Sequence, residues 1–200
     1  MGCGLIPSAK LIDEPSAGHV DVALVHYPVY NKNQEIIGSA VTNLDIHDIA
    51  RAGRTFGIRT FYIVTPYHDQ QRLVGEIVGH WQDGYGARYN ADRKEALASV
   101  VICDDLQSLY ALTAADGVRP LVVATSARQQ ARTIAFRAMR ERIEQGSRVL
   151  LLFGTGWGLA EEALTGVDLM LPPIGGQGNY RHLSVRSAVA IVLDRLLGIG

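Results

Sequence analysis

Along this chain, short apolar runs alternate with stretches in which apolar residues return every three or four positions. His19–Tyr27 (HVDVALVHY) opens the series as a strand, followed by a loop that ends near Gly38. Ile46, Ile49, Ala50, Gly53 and Phe56 then recur at helical spacing, predicting a helix over Asp45–Phe56 with Thr42 or Asn43 as its cap. The same reading predicts a strand at Thr60–Thr65 and a helix at Asp69–Trp81 with Leu73, Val74, Ile77, Val78 and Trp81 inward. Ser99–Cys103 reads as a strand, Leu106–Ala115 as a helix and Pro120–Thr125 as a strand leading to an arginine-rich helix at Gln129–Gln145. Arg148–Phe153 (strand), Leu159–Leu164 (helix), Asp168–Leu171 (strand) and Ser184–Leu197 (helix) complete the series.

Strands alternating with helices imply an α/β fold, a mostly parallel sheet with helices on both faces. Sheets of this kind bind ligands beyond the carboxyl ends of their strands, which directs attention to the residues just after Thr65, Cys103, Thr125, Phe153 and Leu171. The last helix carries Val185, Ala188, Val189, Val192 and Leu196 as one stripe, widened by Ile191, Leu193 and Leu197. A helix apolar over so much of its circumference is either buried centrally or packed on a partner.

Composition narrows the classes. Two hundred residues suit one domain, read here as 19–200 preceded by a flexible segment 1–18. A chain of this size buries about 70% of its unfolded surface and needs no disulfide or metal staple. Cys3 and Cys103 lie too far apart for a metal knuckle. The opening Met1-Gly2-Cys3-Gly4 departs from a myristoylation signal at Ile6. With no signal peptide and no apolar run of membrane-spanning length, a cytoplasmic protein is expected, with no membrane partner.

A net charge of −1 does not announce a nucleic-acid binder. Yet Arg128, Arg132, Arg137, Arg140, Arg142 and Arg148 crowd one segment opposed only by Glu141 and Glu144. Two readings stand: bidentate phosphate contacts, or a solvated face with internal ion pairs.

Three segments carry candidate chemistry. Leu150–Leu159 (LLLFGTGWGL) runs a buried strand into Gly154, Gly156 and Gly158 and then toward a helix, so backbone N–H groups can approach a ligand there. It is not a dinucleotide fingerprint, because Leu159 stands where the third glycine is needed and no acidic residue follows at the required distance. Leu171–Tyr180 (LPPIGGQGNY) leaves the last strand through Pro172 and Pro173, which fix an extended exit, and its glycines then permit sharp turns around a flat ligand. His182–Ala188 (HLSVRSA) opens the final helix.

These three segments, in this order, resemble the SPOUT methyltransferases. Asp48–Ile58 (DIARAGRTFGI), with Asn43 upstream, is similar to the first motif of the ribose-methylating branch. Phe153-Gly154 with Gly158-Leu159 resembles the second motif, and Leu171-Pro172 with Leu183-Ser184-Val185 the third. The wording of Val41–Arg51 and Leu183–Ser187 looks closest to a small bacterial group of SAM-dependent RNA methyltransferases compared with tRNA guanine-N1 methyltransferases.

The resemblance implies a C-terminal trefoil knot, S-adenosylmethionine (SAM) as cofactor, an RNA substrate (a tRNA or rRNA nucleotide), and a homodimer built through the last helix. It places the cofactor among Thr125, Ser126, Gly154, Thr155, Gly156, Gly158, Leu171, Pro173, Ile174, Asn179, His182, Leu183 and Ser184. On the acceptor side it points to Arg51, Asn43, Asp45, His47 and Asp48, with Arg51 as the motif arginine and a carboxylate or His47 taking a proton. Ser184 replaces the branch's asparagine, and Thr155-Gly156-Trp157 stands where a glutamate is usual; both differences point away from ribose 2′-OH chemistry. The alternatives are a SPOUT-fold RNA-binding or assembly protein without catalysis, and a doubly wound nucleotide-binding enzyme. The absence of a Walker-type Gly-Lys-Ser/Thr speaks against the latter.

Overall fold

A strand flanked by others on both sides, in a sheet covered on both faces, must be apolar nearly throughout. Val20–Val25 (β1) meets that description and is buried at every position in the computed structural model. The structure describes residues 19–128, 130, 132–178 and 180–199. The expected flexible segment 1–18 and the expected cofactor residue Asn179 lie outside them.

β1 is followed by a small hairpin, Val29–Tyr30 (β2) and Ile36–Ile37 (β3), and by Asn43–Phe56 (α1). Phe61–Val64 (β4), His68–Gln82 (α2), Tyr85–Tyr89 (α3), Ala91–Leu97 (α4), Val100–Cys103 (β5) and Leu106–Thr113 (α5) come next. Leu121–Ala124 (β6), Phe136–Glu144 (α6), Val149–Gly154 (β7), a 3₁₀ turn at Glu161–Leu164, Leu169–Met170 (β8) and Val185–Leu197 (α7) complete the described chain. The main sheet has the order β5-β4-β1-β7-β6-β8, and every pairing in it is parallel.

The period of two along the strands divides the core. Val22 and Leu24 face a layer holding α1, α2, α4, α6 and α7, while Ala23 and Val25 face a thinner layer of α5 and the 3₁₀ turn. Helices thus cover both faces, as the alternation of elements implies. At the far end of β1, Asp21 is buried and held by Arg59, whose Nε and Nη2 donate to its carboxylate at 3.1 and 2.6 Å.

Thr42 caps α1 by accepting the Asp45 N–H at 3.2 Å, and Gly57 ends it with φ of +74°. In α7, Ser184 caps the start, and Val189, Val192, Leu193 and Leu196 are buried against α1 and α6. Burial within the chain therefore accounts for most of that apolar stripe.

Two expectations are corrected. The arginine-rich helix begins at Phe136, not Gln129, because the preceding segment is pinned along β8: Met170 N–H donates to Arg132 O at 3.1 Å and Ile134 N–H to Met170 O at 2.9 Å. The helix expected at Leu159–Leu164 shrinks to one 3₁₀ turn because Leu159 bridges Val29 and Ala160 N–H donates to Pro28 O. The interval between Trp81 and Ser99, to which the hydrophobic pattern assigned no element, contains α3 and α4. Among the described residues, no helix is long and apolar enough to cross a membrane.

Candidate active site

The carboxyl ends of three neighbouring strands, β7, β6 and β8, bring the expected cofactor segments together. Beyond β6, Thr125 is anchored by its N–H and its hydroxyl to Leu152 O, and Ser126 Oγ accepts the Arg128 N–H at 3.1 Å. Beyond β8, Leu171 is buried and its N–H donates to Ala124 O, so its side chain belongs to the core and only its backbone borders the site. From there the chain runs through Pro173 and Ile174, both half-buried, into the exposed stretch that holds His182, Leu183 and Ser184.

No backbone N–H of the described residues between Pro172 and Leu183 hydrogen-bonds within the protein. Backbone groups left open in this way must be satisfied by water or by a ligand. Exposed side chains of the same segment flank them: Leu183 is 44% exposed, and Tyr180 meets the His182 ring edge-on. Open amides beside wet apolar side chains are what a flat, hydrogen-bonding purine requires. By this test the residues present fit the adenosyl part of SAM.

The glycine turn after β7 behaves differently from the sequence expectation. Thr155 N–H donates to Val25 O, Trp157 N–H to Tyr30 O at 2.8 Å and Gly158 N–H to Thr155 O, so three of its amides are engaged internally. Its glycines have steric causes. A Cβ on Gly154 would stand 2.6 Å from Leu159 N, and one on Gly156, where φ is +58°, would stand 2.7 Å from Tyr30 O. The turn is therefore a rigid wall braced by the β1–β2 connection.

That brace contains a group the sequence reading passed over. His26, directly after β1, is fully buried, and its Nδ1 lies 3.0 Å from Ser39 Oγ. Ser39 Oγ meets Thr155 Oγ1, whose own hydroxyl donates to Val25 O at 3.1 Å. Because the Val25 carbonyl can only accept, the network orders itself as His26 Nδ1–H to Ser39, Ser39 to Thr155, and Thr155 to Val25. Nε2 is then a bare lone pair, and it is buried without a partner. Burial pushes the imidazole pKa down to about 4, outweighing the attraction of the nearby Asp45 carboxylate. The only sequence signal for His26 was its place at a strand's carboxyl end.

On the acceptor side, α1 sends its polar residues in two directions. Asp45, buried at 7% exposure, accepts from Thr42 Oγ1 at 2.6 Å and from Arg186 Nη1 at 3.3 Å. Arg186 Nε also lies 3.4 Å from Asp48 Oδ2. Asp45, Asp48 and Arg186 thus join the first turns of α1 and α7 beside the open loop. His47 turns instead to α2, edge-on to Trp81 with ring centroids 5.6 Å apart. Burial first, and then the Arg93 cation, lower its pKa. Asn43 and Arg51 are exposed, and Arg51 has no ion pair among the described residues. The arginine-rich segment divides: Arg137 and Arg140 pair with Glu141 and Glu144, and Arg148 with Asp116.

A family model described as SAM-dependent RNA methyltransferase matches residues 19–198. The chain belongs to that family. A tRNA (guanine-N(1)-)-methyltransferase of Nitratidesulfovibrio vulgaris is 46% identical over 179 residues, which are 88% of this chain but 41% of that protein. The chain thus spans less than half the length of that relative. An uncharacterized protein of Aquifex aeolicus is 37% identical and is matched over 88% of its length and 89% of this chain. Among solved structures, a SpoU methyltransferase of Streptomyces viridochromogenes, in complex with AdoMet, superposes with a TM-score of 0.60 at 15% identity. That match covers 95% of this chain and 60% of the other. At that identity the likeness establishes the SpoU-type fold.

Proposed function

We propose that this chain methylates a nucleotide of tRNA or rRNA, with SAM held by the loops beyond β6, β7 and β8. The observation that carries this reading is the open backbone of the described residues between Pro172 and Leu183, beside the Asp45–Arg186–Asp48 cluster. Thr125, Ser126, Gly156, Pro173, Ile174 and His182–Ser184 would hold the cofactor. Bound there, SAM supplies an electrophilic methyl group on a sulfonium.

The protein's own residues then have distinct tasks. Asp45 fixes Arg186, and through it the start of α7 at the end of the cofactor loop. Asp48 is exposed and is positioned by Arg186 Nε at 3.4 Å, so it can take a proton from a base nitrogen. Arg51, one turn further along α1 and free of ion pairs among the described residues, is placed to hold an RNA phosphate or orient the acceptor. His26, neutral and buried, braces the glycine turn.

A C-terminal trefoil knot belongs to the proposal. It is supported by the pinning of 132–134 across β8, close to where the chain leaves for α7. Homodimerisation through exposed parts of α7 and a cytoplasmic location complete the reading. The experiment is to incubate the protein with methyl-labelled SAM and either total tRNA or ribosomal RNA, then digest the RNA and identify the labelled nucleoside. Label in a single nucleoside supports the reading. SAM binding without label in either RNA would replace it with a non-catalytic RNA-binding role.

A further inference from the structure

α3 carries two tyrosines that the fold does not use. Tyr85 and Tyr89 are 76% and 77% exposed and stack on one another, with centroids 6.3 Å apart and planes 22° from parallel. Single exposed aromatic residues are common on protein surfaces, but two adjacent rings, each three-quarters wet, form an apolar platform.

The mounting of that platform is rigid. A Cβ on Gly86 would stand 2.6 Å from the Trp81 ring, and one on Gly84 2.6 Å from His80 O, so α3 is seated directly on the end of α2. Trp81 is itself held on its other sides. The Arg93 guanidinium lies over its face at 4.6 Å, and the His47 and His80 rings meet it edge-on. His47 belongs to α1, one turn before Arg51, so the platform is joined to the proposed acceptor face through packed rings.

Charge selects the partner. Arg51, Arg88, Arg93 and Lys94 have no ion pair among the described residues, whereas Arg54 is neutralised by Glu95. They outnumber the nearby Asp83 and Asp92, and Asp92 stands in the first turn of α4, where a carboxylate complements the helix dipole. A second copy of this chain would bring cations against cations. A polyanion with exposed flat bases matches both features, since bases stack on aromatic rings and phosphates pair with arginine.

We infer that the Tyr85–Tyr89 platform, with Arg88 and Arg93, binds unpaired bases of the RNA substrate and presents the strand to the Arg51 face of α1. This rests on the reading of the chain as an RNA methyltransferase. It adds a preference for single-stranded or looped RNA at a named surface.

The test is fluorescence anisotropy with labelled oligouridine and a blunt RNA duplex of the same length, comparing wild type, Tyr85→Ala/Tyr89→Ala and Tyr85→Phe/Tyr89→Phe. Wild type should prefer oligouridine. The alanine pair should bind it at least about tenfold more weakly, and the phenylalanine pair within about twofold of wild type. Arg88→Ala should lower the slope of log affinity against log salt by about 0.7, one single-strand phosphate contact. Both rings are exposed, so thermal melting should stay unchanged and separates lost binding from lost folding. Alanine variants that bind oligouridine like wild type overturn the inference while leaving the methyltransferase reading intact. Loss of self-association in sedimentation with unchanged RNA affinity overturns it in favour of a protein contact. Failure of wild type to bind either RNA removes both.

Discussion

Acidification from about pH 7.5 to about pH 5 should destabilise this protein by about 2 kcal/mol through His26 alone. The sign follows from the direction of the shift. Folded His26 stays neutral down to a pKa of about 4, against an ordinary 6.5. The unfolded chain therefore takes up a proton that the folded chain refuses. Stability from this group is complete above pH 6.5 and falls as pH drops toward 4, by about 1.4 kcal/mol per unit once well below 6.5. The structural cause is definite: Nδ1–H is committed to Ser39, so the added proton must go to Nε2, which is buried and has no acceptor. His47, whose pKa is also lowered by burial, adds a loss of the same sign. Comparison with His26→Asn cancels that contribution. The assay is urea unfolding of both proteins at several pH values across this range. The variant will be less stable at neutral pH, but its stability should fall less steeply on acidification. Parallel curves, or an NMR titration placing folded His26 near 6.5, would refute the reasoning.

Further outcomes follow from the site. Arg51→Ala should leave SAM affinity within about twofold and lower methyl transfer at least tenfold, about 1.4 kcal/mol in the barrier; unchanged single-turnover rates would remove Arg51 from the acceptor face. Gly156→Val forces a branched side chain into a positive-φ position 2.7 Å from Tyr30 O, so calorimetry should show SAM binding lost. The cooperative melt should survive with a stability loss of about 1–3 kcal/mol. Arg186→Ala strips a partner from buried Asp45 and should cost about 1–3 kcal/mol in urea unfolding, together with most of the methyl transfer. Loss of stability with turnover intact would make Arg186 a purely structural link.

The order of strands and helices was legible because parallel strands buried on both faces read as apolar runs, and β1, β6 and β7 are such runs. The strand-end rule then pointed to the loops after Thr125, Phe153 and Leu171 before any contact was known. What stayed hidden depended on partners distant in sequence. Arg132 and Ile134 lie in a segment with helical composition, but hydrogen bonds to Met170 pin them alongside β8, with Arg132 at a positive φ of 54°. The glycine turn reads as an open amide cradle, yet Val25 and Tyr30, more than a hundred residues upstream, take two of its N–H groups. Arg186 has the pattern of a helix-start residue, and only the packing of α7 on α1 reveals its link to Asp45 and Asp48. His26 stands in an apolar run whose pattern does not show that one ring nitrogen will lack a partner.

The loops beyond β6, β7 and β8 are proposed to form a SAM site. Isothermal titration of the protein with SAM and with S-adenosylhomocysteine tests it most directly. Saturable binding at about one site per chain, lost in Gly156→Val, is the predicted result. No heat of binding for either ligand up to about millimolar concentration would contradict it.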